Sequence, residues 1–280
     1  MRTPLSSLQL VDPRSLQDAL EQLHRDPELS PLAGCTDIYV GLNAGAWPAR
    51  RFLNLWRLDE LRGIGVHDGV LRLGALTTYS EITESAVVAR FLPMLAEAAR
   101  QIGGVQVRNR GTLGGNLGNA SPAGDTLPVF AVAEATVVLR SISGERRVAC
   151  ADFFTGYRRT ARRDNELIEA IEIPPVHGQQ WFRKVGTRSA QAISKVVMAA
   201  VRAEHPRIAF GSVAPTVVRA TSCERLLAIG APMEQVRAAL SQDISPIDDF
   251  RSSAAYRRAV AGNLVARFWT ETGTPETGTP

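Results

Sequence analysis

QVRNRGTLGGNLGNASPAGD (residues 106–125) is the most informative stretch of the chain, because it is long, glycine-rich and without helical or strand periodicity. A stretch of this kind inside a compact domain is usually functional or disordered. The apolar residues Leu113 and Leu117 within it make disorder the weaker interpretation. We therefore expect this stretch together with the residues just before it, 103–125 in all, to form an irregular but ordered binding segment.

Two segments of small residues predict loops that bind phosphate. Such loops turn backbone N–H groups towards an anion, and glycine is needed where a Cβ would block the ligand or forbid a positive φ. Two loops of this type in one chain suggest two contacts with the diphosphate of a dinucleotide. The candidate residues are Ala33, Gly34, Cys35, Thr36 and Asp37 in the first loop, and Thr112, Leu113, Gly114, Gly115 and Asn116 in the second.

Each loop also has a plainer interpretation, since Gly-Gly and Gly-x-Thr sequences are often ordinary structural turns. Neither loop matches GxGxxG or GxxxxGK(S/T), so a Rossmann fingerprint and a P-loop are both unsupported. Asp125 would nevertheless suit ribose hydroxyls or an adenine amino group, because a carboxylate accepts hydrogen bonds from both. The residues alone favour a phosphate- or nucleotide-binding role.

Hydrophobic periodicity and turn residues predict a mixture of helices and strands. Glu166 to Ile173 alternates like an exposed edge strand, and Pro174-Pro175 after it predicts a domain boundary. Asp68-Gly69 and Ser143-Gly144 predict hairpin turns. The predicted helices are 15–24, 38–42, 91–102, 233–240 and 254–269, and the predicted strands include 31–33, 52–55, 136–140, 146–150, 181–185, 196–203 and 207–213.

Composition excludes several classes of protein. The formal net charge of +4 over 280 residues is too weak to predict nucleic-acid or membrane binding. The three cysteines, Cys35, Cys150 and Cys223, are too far apart to predict a disulfide framework, a zinc site or an iron–sulfur cluster. The N-terminal residues lack the apolar run of a signal peptide, and no apolar stretch is long enough to cross a bilayer. We therefore expect a cytoplasmic protein.

The remaining polar residues predict no catalytic or metal site. The four histidines are scattered without ligand spacing, and no Ser-His-Asp or paired-carboxylate arrangement is convincing. The pairs Arg158-Arg159, Arg162-Arg163 and Arg257-Arg258 are expected to be solvated faces, some of which meet partner subunits. Only two of the 32 basic residues are lysines, and the pattern around Lys184 is typical of a residue at a surface edge.

Five segments resemble, in order, the FAD-binding medium subunits of the xanthine dehydrogenase and carbon monoxide dehydrogenase family of molybdenum hydroxylases. They are LAGCTD (32–37), QVRNRGTLGGNLGNASPAGD (106–125), ELIEAIEIP (166–174), FRKVGTRSAQAISKV (182–196) and RIAFGSVAPTVVRA (207–220). The resemblance implies an α+β fold with a two-subdomain FAD-binding region of the vanillyl-alcohol oxidase type and a smaller α+β C-terminal domain. We expect the FAD-binding region at 1–174, with subdomains of about 1–60 and 61–174, the C-terminal domain at 175–271, and a disordered tail at 272–280.

The resemblance also implies which residues contact the cofactor. Both glycine loops would hold the FAD pyrophosphate, Asp125, Ile168 and Lys184 match cofactor contacts of the family, and Ile102 would border the flavin. The first loop of the family is usually AGGTD, whereas Cys35 stands here in place of the second glycine. A cysteine fits that position only with a negative φ or at the cost of strain. No second cysteine is placed to resolve a redox-active Cys35.

An electron relay is the function that the resemblance implies. A molybdopterin-binding large subunit would oxidise the substrate, 2Fe–2S clusters in a small subunit would carry the electrons, and FAD on this chain would pass them to NAD⁺ or another acceptor. The expected assembly is a dimer of heterotrimers, and a xanthine dehydrogenase is the leading assignment. Two alternatives are open: a self-sufficient FAD-dependent oxidoreductase, and a non-catalytic nucleotide-binding assembly module.

Overall fold

The computed structural model describes residues 7–273, and the chain begins there with a small parallel sheet. This first sheet has its third strand in the middle, so each neighbouring pair needs a crossover connection. Helices supply these connections, and the first of them is capped by Ser15, whose Oγ accepts from Asp18 N at 3.1 Å. The elements are β1 (Gln9–Val11), α1 (Leu16–Arg25), β2 (Ser30–Leu32), α2 (Thr36–Asn43) and β3 (Arg51–Asn54).

A five-stranded antiparallel sheet follows. Its strands, in spatial order, are β4 (Ile64–His67), β5 (Val70–Gly74), β10 (Leu167–Ile173), β6 (Thr136–Ser141) and β7 (Gly144–Ala149). The β4–β5 turn has positive φ at Asp68 (51°) and Gly69 (79°), as the predicted primed turn requires. The intervening elements are α3 (Tyr79–Glu84), α4 (Ala86–Phe91), α5 (Pro93–Arg100), α6 (Val105–Arg108), α7 (Leu113–Asn119), α8 (Leu127–Val132), α9 (Cys150–Phe153) and the two-stranded ribbon β8 (Phe154–Gly156) and β9 (Arg159–Thr160).

A third, antiparallel sheet links the C-terminal helices to the rest of the molecule. Its strands are β11 (Gln179–Val185), β12 (Val196–Arg202), β13 (Arg207–Gly211) and β14 (Val218–Arg219), followed by α10 (Thr221–Ala228), α11 (Met233–Asp243) and α12 (Ala254–Glu271). Val197 and Ala199 of β12 pack into a core shared with α5 and α8, whereas Val196 and Met198 pack into the core of the C-terminal helices. Because both faces are buried, the strand is a continuous apolar run.

β10 is the middle strand of its sheet, so the prediction of an exposed edge strand is wrong. Its polar alternation comes from Glu169 and Glu172, whose carboxylates pair with arginines of the neighbouring strands. Arg72 lies 2.6 Å from Glu169 and 2.7 Å from Glu172, measured from Nη to Oε, and Arg140 Nε lies 2.5 Å from Glu169. Opposite charges on adjacent strands stabilise each other, so polar periodicity does not require an edge.

The α+β class is confirmed, but the helix content is higher than predicted. α6 and α7 lie in the stretch expected to be irregular, and α3, α4, α8 and α10 were not predicted. Every residue of α8 is buried, so it has no polar face and no periodic signal. The single helix predicted over 91–102 is divided, because α5 begins at Pro93, a residue favoured at the first helical position.

The C-terminal helix α12 ends at Glu271. Thr272, assigned to a disordered tail, instead caps α12, and its Oγ1 donates to Phe268 O at 2.6 Å. The rest of the predicted tail from residue 274, and the start of the N-terminal segment at 1–6, lie outside the described residues.

Within residues 7–273, none of the helices combines the length and the apolar character that crossing a bilayer requires.

Candidate functional site

The two glycine loops are far apart in sequence but contact each other in the fold. An ideal Cβ on Gly34 would lie 1.6 Å from the carbonyl oxygen of Arg110 and 3.2 Å from the nitrogen of Gly111. Only a residue without a Cβ lets the two backbone segments approach so closely. Leu113 N donates to Thr77 O at 3.0 Å, which holds the second loop in place. The first requirement of a shared site, that the loops meet, is therefore satisfied.

The first loop offers unused backbone donors. α2 begins at Thr36, after Cys35 as its N-cap, and no side chain caps it. In the part of the chain that the structure describes, the N–H groups of Thr36, Asp37 and Ile38 have no acceptor, and Tyr39 N is the first to donate, to Cys35 O at 2.9 Å. Unpaired N–H groups at a helix N-terminus carry partial positive charge and bind phosphate oxygens. The first loop therefore has the anion-binding geometry that the sequence predicts.

The second loop is organised differently, because most of its backbone amides already donate within the chain. Gly114 N donates to Ala75 O at 2.7 Å, and Gly115 N donates to Thr112 Oγ1 at 3.1 Å. Asn116 N donates to Thr112 O at 3.0 Å. A Cβ on Gly114 would also lie 2.7 Å from the Cβ of Ala75. α7 therefore forms a tightly packed wall, and the free amides of this site belong to α2.

A cleft of about 1080 Å³ opens between the loops and the C-terminal sheet. Pockets for small ligands are usually about 300–1,000 Å³, so this cleft suits an unusually large ligand. Leu113 is fully buried in the core and does not face the cleft, so its side chain anchors the turn instead. The other predicted cofactor residues all line the cleft: Ala33, Gly34, Cys35, Thr36, Asp37, Ile102, Thr112, Gly114, Gly115, Asn116, Asp125, Ile168 and Lys184.

Asp125 and Lys184 form a buried ion pair in the wall of the cleft. Lys184 Nζ lies 2.6 Å from Asp125 Oδ2, and their side chains are only 6% and 10% exposed. Lys184 Nζ also donates to Gln101 O at 2.9 Å, and Ser194 Oγ donates to Asp125 Oδ1. Burial raises the pKa of Asp125, while the Lys184 ammonium acts in the opposite direction. Lys184 is therefore not the surface-edge residue that the local pattern predicted, and both Asp125 oxygens are already engaged.

The sequence interpretation missed Arg257 on α12. This arginine is 5% exposed and lines the cleft, so the prediction of a solvated pair is wrong for it, although Arg258 is exposed. Arg257 Nη1 donates to Ser212 O at 2.7 Å, and its Nη2 lies 2.7 Å from Asp249 Oδ1. Consecutive helical residues point in different directions, so one member of a pair can be buried. Because the chain is rich in arginine, no signal in the sequence distinguishes the buried Arg257 from the exposed arginines.

Cys35 adopts the left-handed backbone conformation, with φ 67° and ψ 6°. A cysteine at this position of the loop was expected to have either a negative φ or backbone strain, and the structure shows the strained alternative. This region costs a non-glycine residue about 1–2 kcal/mol. We expect Cys35→Gly to raise the free energy of unfolding by about 1 kcal/mol, measured by urea denaturation. Cys35→Ala, which keeps a Cβ, should give no gain, and equal gains in both variants would exclude backbone strain as the cause.

The Cys35 thiol is a poor nucleophile in this setting. Burial raises its pKa, and the nearby Arg110 guanidinium does not compensate. The thiolate is the reactive form, so a raised pKa keeps Cys35 protonated and inert. Cys35 therefore contributes its backbone to the first loop. Among residues 7–273, no group of three or more His, Cys, Asp or Glu side chains is arranged to hold a metal ion.

The residues that line the cleft suit a flavin dinucleotide. The α2 N-terminus matches a diphosphate, Ile102 and Ile168 offer apolar contact to a ring system, and the Asp125–Lys184 pair supplies fixed charge. Flavin sites place a cofactor in this way, with the protein providing orientation and electrostatics.

Two family models cover nearly the whole chain. The FAD binding domain in molybdopterin dehydrogenase matches residues 6–176, and the CO dehydrogenase flavoprotein C-terminal domain matches residues 181–272. The glyceraldehyde dehydrogenase medium chain of Sulfolobus acidocaldarius is 32% identical over 272 residues, which cover 93% of this chain and 96% of that one.

Two further similar proteins also match over most of their length. The putative xanthine dehydrogenase FAD-binding subunit of Escherichia coli is 32% identical over 258 residues, covering 87% of this chain and 88% of the relative. A solved structure of carbon monoxide dehydrogenase from Hydrogenophaga pseudoflava superposes with a TM-score of 0.90 at 28% identity, covering 98% of this chain and 100% of that one. The fold, the anion-binding loop and these matches agree, and the chain belongs to the family of FAD-binding subunits of molybdenum hydroxylases.

Proposed function

We propose that this chain is the electron-transfer subunit of a heteromeric molybdenum hydroxylase. It receives electrons from 2Fe–2S clusters on a small partner subunit and passes them to NAD⁺ or another acceptor, while a molybdopterin-binding large subunit oxidises the substrate. The observation that carries the proposal is the set of unpaired N–H groups at the start of α2, which face a cleft large enough for a dinucleotide.

Bound FAD would supply the acceptance and release of electrons. The first turn of α2 would hold its pyrophosphate, and the packed second loop lies directly beside it. Ile102 and Ile168 exclude water from the ring system. The Lys184 ammonium, held by Asp125, places a positive charge in the wall of the cleft, where it would stabilise negative charge on a bound ring.

The substrate of the whole complex belongs to the large subunit. A xanthine-like purine is our leading proposal, with aldehydes, carbon monoxide and N-heterocycles as the alternatives, since the glyceraldehyde, xanthine and carbon monoxide dehydrogenase relatives are 32%, 32% and 33% identical to this chain. We further propose a cytoplasmic dimer of heterotrimers, with the FAD-binding region of this chain in two subdomains that end near Pro174.

The purified chain tests the proposal. It should bind FAD in a 1:1 ratio, appear yellow, and oxidise NADH with an artificial dye as acceptor, yet hydroxylate neither purines nor aldehydes. Hydroxylation by the pure chain would instead indicate a self-sufficient oxidoreductase. A colourless protein that does not take up added FAD would indicate an assembly module.

A further inference from the structure

The indole ring of Trp56, directly after β3, lies against two arginine side chains. The guanidinium carbon of Arg110 is 3.7 Å from the ring centroid, and that of Arg62 is 4.7 Å from it. Both distances are within the range of a cation–π interaction, which is strongest with tryptophan. Arg62 Nη2 also donates to Trp56 O at 2.7 Å, so Arg62 fixes the backbone that carries the ring. The indole is therefore a fixed surface on which the Arg110 guanidinium rests.

Arg110 differs from Arg62 because its guanidinium has no carboxylate or carbonyl partner. Within residues 7–273, none of the hydrogen bonds or ion pairs involves this guanidinium, and the residue is exposed. An exposed arginine side chain ordinarily has about 2 kcal/mol of rotamer entropy and spreads its charge over many positions. Stacking on Trp56 selects one of these positions. The chain thus holds a positive charge without a counter-charge at a defined place on its surface.

That place is the edge of the first glycine loop. The carbonyl oxygen of Arg110 lies 1.6 Å from an ideal Cβ on Gly34. The strand β3 that leads to the indole is joined to the start of the loop, since Leu55 N donates to Leu32 O at 2.8 Å. Burial raises the pKa of the Cys35 thiol, and the Arg110 guanidinium opposes that rise, so its charge acts within the loop. Arg110 does not line the cleft, so this charge acts on the loop from outside.

A full positive charge and a helix N-terminus act over different ranges. The partial charge of the unpaired N–H groups of α2 falls off within the first turn, whereas a full charge attracts an anion over about one Debye length. A charge at the rim of a binding site mainly raises the association rate of an oppositely charged ligand. Resting on the proposed FAD binding, we propose that Arg110 guides the diphosphate to the first loop, and that Trp56 is the positioning residue that keeps the guanidinium there.

Stopped-flow mixing of the flavin-free full-length chain with FAD, followed by flavin fluorescence, tests the inference. Arg110→Gln should slow association about fivefold at about 10 mM NaCl, where the Debye length is about 30 Å. At about 1 M NaCl the Debye length is about 3 Å, and the variant should associate like the parent. Riboflavin, which has no phosphate, should associate equally fast with the parent and the variant. Arg237→Gln is the matched control, because it removes the same charge from an exposed position on α11.

Two substitutions of Trp56 test its positioning role. Trp56→Ala releases the guanidinium and should slow FAD association at low salt to a rate between those of the parent and Arg110→Gln. Trp56→Phe keeps an aromatic face and should restore most of the rate. A stack that only joins the two loops would instead lower the free energy of unfolding and accelerate FAD release, by the same factor at both salt concentrations.

The outcomes separate this inference from the proposed function. If Arg110→Gln slows FAD and riboflavin alike, is slowed equally at both salt concentrations, or is not slowed at all, the guiding role is overturned while FAD binding stands. Equal slowing in Arg237→Gln would overturn it too, since net charge rather than its position would be the cause. Trp56→Ala with the full rate of the parent would overturn the positioning role of Trp56. A parent chain that takes up no FAD would overturn the proposed function and this inference together.

Discussion

Replacement of Gly34 by alanine is expected to weaken FAD binding and to destabilise the fold by about 3 kcal/mol. The new Cβ would lie 1.6 Å from the Arg110 carbonyl oxygen and 2.5 Å from its carbonyl carbon. Backbone atoms cannot rotate away as a side chain can, so the two loops must separate. Separation displaces the α2 N-terminus from the wall of the cleft, and we expect FAD affinity to fall at least a hundredfold, or about 2.7 kcal/mol.

Gly262→Ala is the matched control for this prediction. Gly262 lies within α12, and the nearest atom to an added Cβ is Cγ of Arg237 at 3.7 Å, an ordinary contact. Alanine is the better helix former by about 1 kcal/mol, so this variant should be as stable as the parent or more stable. Urea denaturation and flavin fluorescence titration provide the two readouts. If Gly34→Ala behaved like Gly262→Ala in both, contact between the loops would not be required.

The second large effect concerns the Asp125–Lys184 pair. Lys184→Met should reduce the free energy of unfolding by about 3–5 kcal/mol, because removal of one partner leaves an uncompensated buried charge. Lys184 and Asp125 are 59 residues apart, so the pair also joins β11 to the segment after α7. We expect the same variant to weaken FAD binding, since the ammonium in the wall of the cleft is lost.

The pH dependence gives this prediction a specific signature. Burial raises the pKa of Asp125, and loss of Lys184 removes the main influence that lowers it. A carboxyl group with a higher pKa in the folded state binds its proton at a higher pH there than in the unfolded state. The free energy of unfolding of such a protein therefore rises as the pH falls through that raised pKa. The deficit of Lys184→Met should therefore be largest at neutral pH and shrink on acidification through the raised pKa.

A double variant separates charge from packing. Asp125→Asn combined with Lys184→Met removes both charges and should recover much of the lost stability, because the unpaired carboxylate is gone. A deficit that does not change with pH and is not relieved by the double variant would show that the Lys184 side chain acts through packing alone.

Sequence patterns were sufficient to predict an element where the local residues favour a single backbone conformation. The hairpin turn at Asp68-Gly69, the first helix α1 and the strand β12 all appear in the structure as predicted. Predictions from hydrophobic periodicity failed where an element is buried on all sides, because it then lacks the alternation of polar and apolar residues on which such predictions depend. α8 is buried on every side, and Glu169 resembles a solvent-facing residue although its partner is Arg72 on the adjacent strand.

The sequence by itself determined that two loops of small residues exist, that one precedes a helix, and that Cys35 departs from the usual glycine. Only the tertiary structure decided that α2 presents free N–H groups while Gly114 N of α7 is engaged, because the hydrogen bond from Gly114 to Ala75 depends on how distant segments pack. It also decided that Arg257 and Lys184 are buried. Burial of a charge depends on its partners in space, and adjacency along the chain does not specify them.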